Sequence, residues 1–585
     1  MSEVERSKKL IPLEQRAEQF LSRFGKGVVD LRREKSLSYA AFVCDQSPEN
    51  KSRHTEANRK LNDYLVSENC YKDLREIWTS PGFHQLDRAL RRQFSGELVY
   101  SSPSQLRELP LLQTIASQKT ELTDLYDKGP DRKHVATYTY VDSDGQERYF
   151  LDSFLDLVQN RNKLARMRGY DNFYYLKMDE FEIDRNERRK IHDALTDAYA
   201  AFADRWNLFQ VKEYALSLFD AGVMDKDTLH NLEGKDISEY LEAFSYIDDQ
   251  DQMKVWGDLV TKSEQDVTLD VIKEHNLFDL RRQELKMMGL SVEDFDDLVD
   301  TGNFYKREGK TKQAQYILVD RDTIRIVCNL PLTDAELERE DVRCFNHETG
   351  HGMHAKMLDP QLPALLRRHN GIVDEGMANI FQSTMNSNEY MHQVLNMNSK
   401  EIKEAEMQIK RINLEKVFSH SQIYLCYSEF EQRMYEDPQQ DMEQLYMDVR
   451  EKIIKKDQKK KSWFLPHYLG LEVSIDKYIF ANLWAAQVRA YAQNHFGGLL
   501  NPQFGEWIRM HRSTGFLYTM EEGLINMTGE GLNPQYYIDE VDTMISDLEQ
   551  DLDQRVEEAL HGKNKKKEKG IFRNVFNRIS SPAAR

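Results

Sequence analysis

The sequence predicts a mainly α-helical protein with one small β element. Glycine and proline are sparse, with 27 and 14 copies among 585 residues, and long stretches repeat apolar residues every three or four positions. Strand-like sequence is concentrated at residues 316–330. At this length the chain can bury a large core and would normally divide into two or more lobes.

Charge and composition narrow the class of protein. A net charge of −19 and a pI near 5.4 argue against a nucleic-acid binder and favour neutral or basic partners, including basic peptides. The first nine residues contain no apolar core, and no stretch approaches the roughly 18 apolar residues of a spanning helix. The five cysteines are an odd number without two-residue spacing, so we expect no disulfide framework and a cytoplasmic location.

A long core helix is predicted from residue 184 onward. Residues 184–187 read D-R-N-E, which resembles a capping box. Apolar residues then recur at the spacing of one helix face, and we interpret this stripe as core packing. Its members are Ile191, Leu195, Tyr199, Phe202 and Trp206.

The strand-like region predicts a β-hairpin. Residues 316–319 read Y-I-L-V and residues 323–330 read T-I-R-I-V-C-N-L, with a polar turn at 320–322 between them. Such a hairpin could offer a free edge to an extended peptide and bind its backbone regardless of side chains. A purely supporting hairpin without ligand contacts is an equally open alternative.

Residues 347–351 read H-E-T-G-H, a metal-binding pattern on a predicted helix. His347 and His351 lie one turn apart on the same face, and Glu348 stands between them. Two neutral imidazoles at this spacing can hold one zinc ion at about 2.0–2.1 Å and leave room for a third ligand and a water. The alternative is a buried helix whose histidines only satisfy hydrogen bonds.

Two glycines inside this helix need a physical reason. Gly350 and Gly352 each cost about 1 kcal/mol relative to alanine in a helix interior. We interpret them as room for a substrate backbone that approaches the helix surface closely.

Glu375 is the candidate for the third metal ligand. It follows His351 by 24 residues, which leaves room for the first helix to end at residues 359–360, for a loop, and for one turn of a second helix. Asp374 and Asn346 are candidates for orienting the imidazoles from behind, and solvation at the surface is the alternative for both.

Two basic runs occur late in the chain, at residues 452–461 and 563–569. Such runs are usually solvated. The second run is followed by an amphipathic pattern that could contact an anionic membrane or a partner groove, and a mobile appendage is the alternative. The pattern consists of Ile571, Phe572, Val575, Phe576 and Ile579.

Several separated segments form a recognisable series. Residues 304–314 contain R-E-G-K, residues 328–331 read C-N-L-P, and residues 347–354 read H-E-T-G-H-G-M-H. Together they resemble the thimet oligopeptidase and oligoendopeptidase family of zinc metallopeptidases, whose extended signature H-E-x-G-H-x-x-H is matched in full, His354 included. The resemblance covers residues 150–545 well and the first 150 weakly. It extends to residues 161–173, 511–515 and 531–534.

The resemblance implies a gluzincin-type site with one zinc ion per chain. His347, His351 and Glu375 would bind the ion, and Glu348 would act as the general base. The family's fold implies two largely helical lobes that flank a deep channel with zinc at its floor. We accordingly predict an N-terminal helical lobe at 1–150, a catalytic domain at 151–560 and a basic amphipathic tail at 561–585.

The family also uses a downstream histidine and tyrosines to hydrogen-bond the transition state. In this chain His467 and Tyr478 are the candidates, with Tyr468 in reserve. Phe480 and Asn482 stand where the family commonly has tyrosines.

The expected function is that of a zinc-dependent oligopeptidase. Metal-activated water would hydrolyse peptide bonds in short unstructured peptides, with Glu348 as general base. Two alternatives stay open: a catalytically impaired relative that only binds peptides, and an interaction protein whose helical lobes and tail dock a partner. The altered tyrosine segment motivates the first alternative, while the intact Glu348 speaks against it.

Overall fold

A computed structural model describes most of the chain. The described residues are 12–65, 68–94, 108–128, 138–141, 146–244, 266–320, 323–454 and 467–561. The predicted basic tail therefore lies outside the described residues, apart from His561, and so does most of the basic run at 452–461. Among the described helices, none combines the length and the apolar character needed to cross a membrane.

Helices dominate the described part of the chain, as predicted. The N-terminal series consists of α1 (Leu13–Phe20), α2 (Lys26–Cys44), α3 (Pro48–Leu65), α4 (Glu68–Trp78), α5 (Arg88–Phe94) and α6 (Leu109–Lys128). A short antiparallel pair follows, β1 (Thr139–Val141) and β2 (Glu147–Tyr149). The next helices are α7 (Phe150–Met167), α8 (Phe173–Glu180), α9 (Arg185–Asp220), α10 (Lys226–Leu232), α11 (Ile237–Phe244), α12 (Val267–Lys273), α13 (Leu277–Met287) and α14 (Val292–Thr301).

The second half carries the central sheet and a further series of helices. The strands are β3 (Asn303–Tyr305), β4 (Gln315–Asp320) and β5 (Thr323–Leu330). The helices are α15 (Arg339–Lys356), α16 (Gly371–Thr384), α17 (Asn388–Gln393), α18 (Ser399–Lys416), α19 (Gln422–Glu436), α20 (Met442–Ile454), α21 (His467–Gly470), α22 (Ser474–Phe496), α23 (Pro502–Arg512), α24 (Met520–Thr528) and α25 (Gln535–His561).

The predicted hairpin is confirmed, and it belongs to a three-stranded sheet. Strand β5 lies in the centre, antiparallel to β4 and parallel to β3. The parallel partner was not predicted, because three residues carry too little pattern to identify a strand. Strand β4 lies at the edge of the sheet, so one side of its backbone has no strand partner in the described structure.

Helices cover both faces of this sheet. On one face, Ile317 and Val327 pack against Ala40 and Val43 of α2. On the other face, Ile326 belongs to the main core together with residues of α14 and α15. The sheet is thus held between the N-terminal helices and the helix that carries the H-E-T-G-H motif.

The lysine of the R-E-G-K segment ties β3 to β5. Lys310 is buried, and its ammonium donates to the carbonyls of Asn303, Tyr305 and Cys328. Burial lowers the pKa of this ammonium. Carbonyl oxygens from both strands compensate its lost hydration and hold the ends of the strands together.

The predicted core helix is confirmed as α9. Asp184 caps it by accepting from the backbone N–H groups of Asn186 and Glu187. All five residues of its apolar stripe are buried. Most of the core is one hydrophobic cluster from α6 to α25, and a second cluster joins α1 to α5 with Leu365. The division into two lobes about a channel, with boundaries near 150 and 560, remains a prediction.

The interpretation of Gly350 as room for substrate is wrong. A Cβ at this position would lie 2.8 Å from Phe381 Cβ and 3.2 Å from Ala378 Cα, both in α16. The same holds for Gly352, whose Cβ would lie 2.7 Å from Leu298 Cδ1 in α14. Both glycines allow neighbouring elements to pack tightly against α15.

A third close approach involves α16 and α22. A Cβ at Gly376 would lie 2.5 Å from Cε3 of Trp484, whose side chain is wholly buried. Three consecutive packing partners, α15, α16 and α22, are therefore brought together through positions without a side chain.

We predict that Gly350→Ala destabilises the protein. Overpacking costs about 1–3 kcal/mol, and the better helix propensity of alanine returns about 1 kcal/mol. Since the atoms in the way belong to the backbone and to a Cβ of α16, the upper part of that range applies. Equilibrium unfolding in urea should show the loss.

Gly523→Ala is the matched control, because a Cβ there would meet only Arg512 Nη2, at 3.6 Å, inside helix α24. Its stability should equal or exceed that of the parent. Equal stability of the two alanine variants would refute the packing role of Gly350.

Candidate metal centre and catalytic site

Three predicted ligands come together at the contact between α15 and α16. Glu375 Oε2 lies 3.5 Å from His347 Nε2 and 3.7 Å from His351 Nε2. One ligand atom from each residue lies within 4.8 Å of the others. Ligands about 2.0–2.1 Å from a tetrahedral ion lie about 3.3 Å apart, and two imidazoles with one carboxylate are an ordinary donor set for zinc. The three residues therefore fit one divalent cation.

Local sequence explains why both helices begin where they do. The backbone N–H of Glu338 donates to Asp341 Oδ2 at the start of α15, over 2.9 Å. Asn370 caps α16 by accepting from the N–H of Ile372 over 2.8 Å. Glu375 is then the fifth residue of α16, one turn into the helix, as the spacing predicted.

Asp374 contacts two histidines of α15 from the side opposite the candidate ion. Its Oδ1 lies 2.9 Å from His354 Nδ1 and 3.3 Å from His351 Nδ1. Burial raises the pKa of this carboxyl, but His351 and His354 lower it more, so the pKa lies well below its usual range. An ionised carboxylate on Nδ1 leaves Nε2 of His351 facing the candidate ion.

Asn346 does not orient an imidazole, so the prediction for this residue is wrong. Its amide nitrogen donates to the carbonyl of Val342 over 3.0 Å and to Met385 Sδ over 3.2 Å. The side chain is also buried rather than solvated. Asn346 thus joins α15 to the end of α16 instead of orienting an imidazole.

Glu348 faces a cavity beside the candidate ligands. The cavity has a volume of about 540 Å³ and is lined by residues 312–314 before β4, the end of β5, one face of α15, Leu471 before α22 and Tyr478 within α22. His347 lines the same space. Burial raises the pKa of the Glu348 carboxyl. A raised pKa brings a carboxylate closer to the range of an effective general base.

The candidate hydrogen-bond donors fare differently. Tyr478 lines the cavity, and burial raises the pKa of its phenol, which therefore stays protonated and able to donate. Tyr468, the reserve candidate, is instead wholly buried against Phe430 and is not among the residues that line the cavity. His467 begins α21, and its side chain lies outside the described structure.

The positions without family-like tyrosines also have clear surroundings. Phe480 is wholly buried in the core. Asn482 accepts from the amide of Asn379 over 2.9 Å and so joins α22 to α16. Neither side chain offers a hydroxyl to the cavity.

Sequence reasoning missed Lys477. Its ammonium donates to Glu375 Oε1 over 2.9 Å, and it lies 4.7 Å from the centre of the Tyr478 ring. A charged residue within the apolar run at 475–486 could have drawn attention to this position. Only the fold shows that it contacts a candidate ligand.

A buried carboxylate anchors the first turn of α22. Asp476 is wholly buried and accepts hydrogen bonds from Tyr174, Arg188, His192 and Ser428, which come from three other helices. Burial raises the pKa of Asp476, but Arg188 and His192 lower it more, so the carboxyl stays ionised. The residues next in sequence are therefore held in place.

The segment before α22 is held by two further buried side chains, Arg161 and Glu431. Arg161 donates to the carbonyls of Tyr468 and Leu469 over 2.6 and 2.8 Å. Val473 has a φ of +60°, a rare conformation for a β-branched residue. Its N–H donates to Glu431 Oε1 over 3.0 Å. These contacts stabilise a turn that the local sequence does not favour.

The comparison with known families agrees with this site. Residues 298–491 match the model described as peptidase family M3. The matched segment contains the sheet, both helices with candidate ligands, and most of α22. The match supports assignment of the chain to the peptidases. The match supports the resemblance of this segment to the thimet oligopeptidase and oligoendopeptidase family. A search among curated proteins found no match.

The buried Glu431 predicts a pH-dependent stability. Burial raises its pKa to about 8, whereas an unfolded glutamate titrates near 4.3. The folded state therefore holds the proton more tightly, and stability falls as the pH rises from about 4.3 to about 8. Glu431→Gln keeps an acceptor for Val473 without ionising. We expect its melting temperature to exceed the parent's by about 1–3 °C at pH 8, and the gap to close towards pH 5.

Glu429→Gln, on the same helix, serves as the control. Burial raises the pKa of Glu429, but Arg188 and Arg433 lower it more, so its charge stabilises the fold. This variant should melt below the parent at pH 8. If the difference in melting temperature between Glu431→Gln and the parent is the same at pH 5 and at pH 8, the assigned ionisation of Glu431 is wrong.

Proposed function

We propose that the protein is a zinc-dependent oligopeptidase that hydrolyses peptide bonds in short unstructured peptides. The observation that carries this proposal is the convergence of His347, His351 and Glu375 next to a cavity that His347 and Glu348 line. The family match supports the peptidase class. The donor set supports zinc as the metal.

The cation would be held by Nε2 of His347, Nε2 of His351 and Oε2 of Glu375. When bound, a zinc ion polarises a carbonyl and lowers the pKa of water towards 7. Asp374 keeps the His351 ring in its orientation through Nδ1.

Glu348 performs the proton transfers in this proposal. It takes a proton from the water that attacks the peptide carbonyl and later passes that proton to the leaving amine. Burial helps because it raises the pKa of the carboxyl. No covalent intermediate with the protein is needed.

Tyr478 is the proposed donor to the oxyanion that forms on the former carbonyl. Its protonated phenol lines the same cavity as Glu348. A donor placed where negative charge develops stabilises the transition state more than the substrate. His467 is kept as a second donor, on the resemblance alone.

The edge strand β4 is a proposed binding element for the peptide backbone. Residues 312–314, which lead into β4, line the cavity, and the outer edge of β4 has no strand partner in the described structure. A peptide added along this edge would be held by main-chain hydrogen bonds, which suits substrates of varied sequence.

A cytoplasmic location belongs to the same proposal. Cys44, Cys328, Cys344 and Cys426 all have free thiols, as a reducing compartment would leave them. A membrane or protein contact through residues 561–585 stays a separate hypothesis.

Peptide cleavage tests the proposal directly. We expect the purified protein to cut a mixture of unfolded peptides, and a zinc chelator to abolish cleavage until zinc is restored. Mass spectrometry of the products gives the cut positions. Products that form equally well with the chelator, or no products from a zinc-loaded sample, would exclude the peptidase function and leave the peptide-binding and docking alternatives.

Two isosteric variants separate catalysis from metal binding. Glu348→Gln should keep zinc but lose about 10²-fold or more in kcat, since the base is gone. Glu375→Gln should lose about 10-fold or more in zinc affinity, since a charged ligand becomes neutral. Metal content and steady-state rates measure the two effects. A Glu348→Gln enzyme that cuts at the parental rate would overturn the assignment of the base.

A further inference from the structure

The two oxygens of Glu375 face different partners. Oε2 faces Nε2 of His347 and of His351, at 3.5 and 3.7 Å. Oε1 accepts a hydrogen bond from Lys477 Nζ over 2.9 Å. One oxygen is thus directed at the candidate cation, and the other is already taken by an ammonium.

Several contacts hold Lys477 in this position. A Cβ at Gly371 would lie 3.1 Å from Lys477 Cδ, so the missing side chain makes room for the lysine stem. The ammonium lies 4.7 Å from the centre of the Tyr478 ring, which favours a cation there. Asp476, the preceding residue, is fixed by four hydrogen-bond partners. The side chain of Lys477 is about one-fifth exposed, so most of its length is packed against the protein.

We propose that Lys477 is a positioning residue that keeps Glu375 a monodentate ligand through Oε2. The proposal rests on the proposed function, because it concerns the cation of that site. A carboxylate that uses both oxygens would occupy a coordination position that a catalytic ion needs for water and substrate. By binding Oε1, Lys477 keeps that position open.

The ammonium has a second, electrostatic consequence. As a positive charge beside the carboxylate, it weakens the attraction of the site for a cation. It also reduces the electron density that Glu375 can give to the ion, which leaves the ion a stronger Lewis acid. The Lys477 ammonium therefore lowers the affinity of the site for the metal and raises the reactivity of the bound ion.

Lys477→Met removes the charge and keeps most of the stem. We expect zinc to bind about three- to tenfold more tightly, because a repelling charge is gone. We expect kcat to fall about tenfold, because Glu375 becomes free to use both oxygens. Competition with a chromophoric chelator measures zinc affinity, and steady-state rates on a cleaved peptide give kcat and KM.

Cobalt substitution reads the coordination directly. The visible absorption of Co²⁺ weakens as its coordination number rises, so the cobalt form of Lys477→Met should absorb less strongly than that of the parent. This measurement needs no activity. It therefore tests the role of Lys477 even if the parent cleaves no peptide.

Two controls accompany the variant. Lys477→Arg keeps a charged donor and should retain parental zinc affinity and a parental cobalt spectrum. Lys410→Met removes a lysine of similar exposure that pairs with Glu406 and Asp547. This variant should keep both the zinc affinity and the cobalt spectrum of the parent. If Lys477→Met does not fold, Lys477→Gln takes its place.

The outcomes are distinct. The positioning role is supported if Lys477→Met binds zinc more tightly, shows weaker visible absorption in its cobalt form and has a lower kcat than the parent. If Lys477→Met keeps the zinc affinity and the cobalt spectrum of the parent, the positioning role is refuted. Weaker zinc binding together with a loss of stability would also refute it, because that result indicates a structural role. A parent that binds zinc but cleaves nothing would refute the proposed function alone.

Discussion

The candidate site depends on how closely α16 can approach α15. Gly350 lies at this contact, where even a methyl group would meet the backbone of α16. The distances between Glu375 and the two imidazoles are set by this approach, since the residues belong to different helices. If the helices were further apart, the two histidines would lack Glu375 as a third ligand. The absence of one side chain therefore decides whether three donors can share an ion.

A second constraint fixes α22 relative to that pair of helices. Arg161, Glu431 and Asp476 are buried ionisable side chains that hold its start and the turn before it. Burial of such groups is costly unless they are hydrogen-bonded, and all three make hydrogen bonds to neighbouring elements. Here the arrangement places Lys477 on Glu375 and Tyr478 at the cavity. The buried polar groups at the start of α22 therefore position the side chains beside the candidate ion.

Elements with a strong local pattern were predictable. The apolar stripe of α9, the hairpin of β4 and β5, and the two helices that carry the candidate ligands all follow from periodicity and capping residues. Elements that depend on distant partners were not. The strand β3 is too short to show a pattern, and the roles of Gly350 and Asn346 depend on α16, which the sequence around them does not describe.

The sequence alone determined the chemistry of the site: the donor types, the one-turn spacing of His347 and His351, and the acid between them. These properties lie within one helical turn, where backbone geometry is known in advance. Only the tertiary structure decided which oxygen of Glu375 faces the imidazoles and which one Lys477 binds. Those two residues are 102 positions apart in the chain. Contacts at such separations depend on how whole helices pack, and packing is a property of the complete fold.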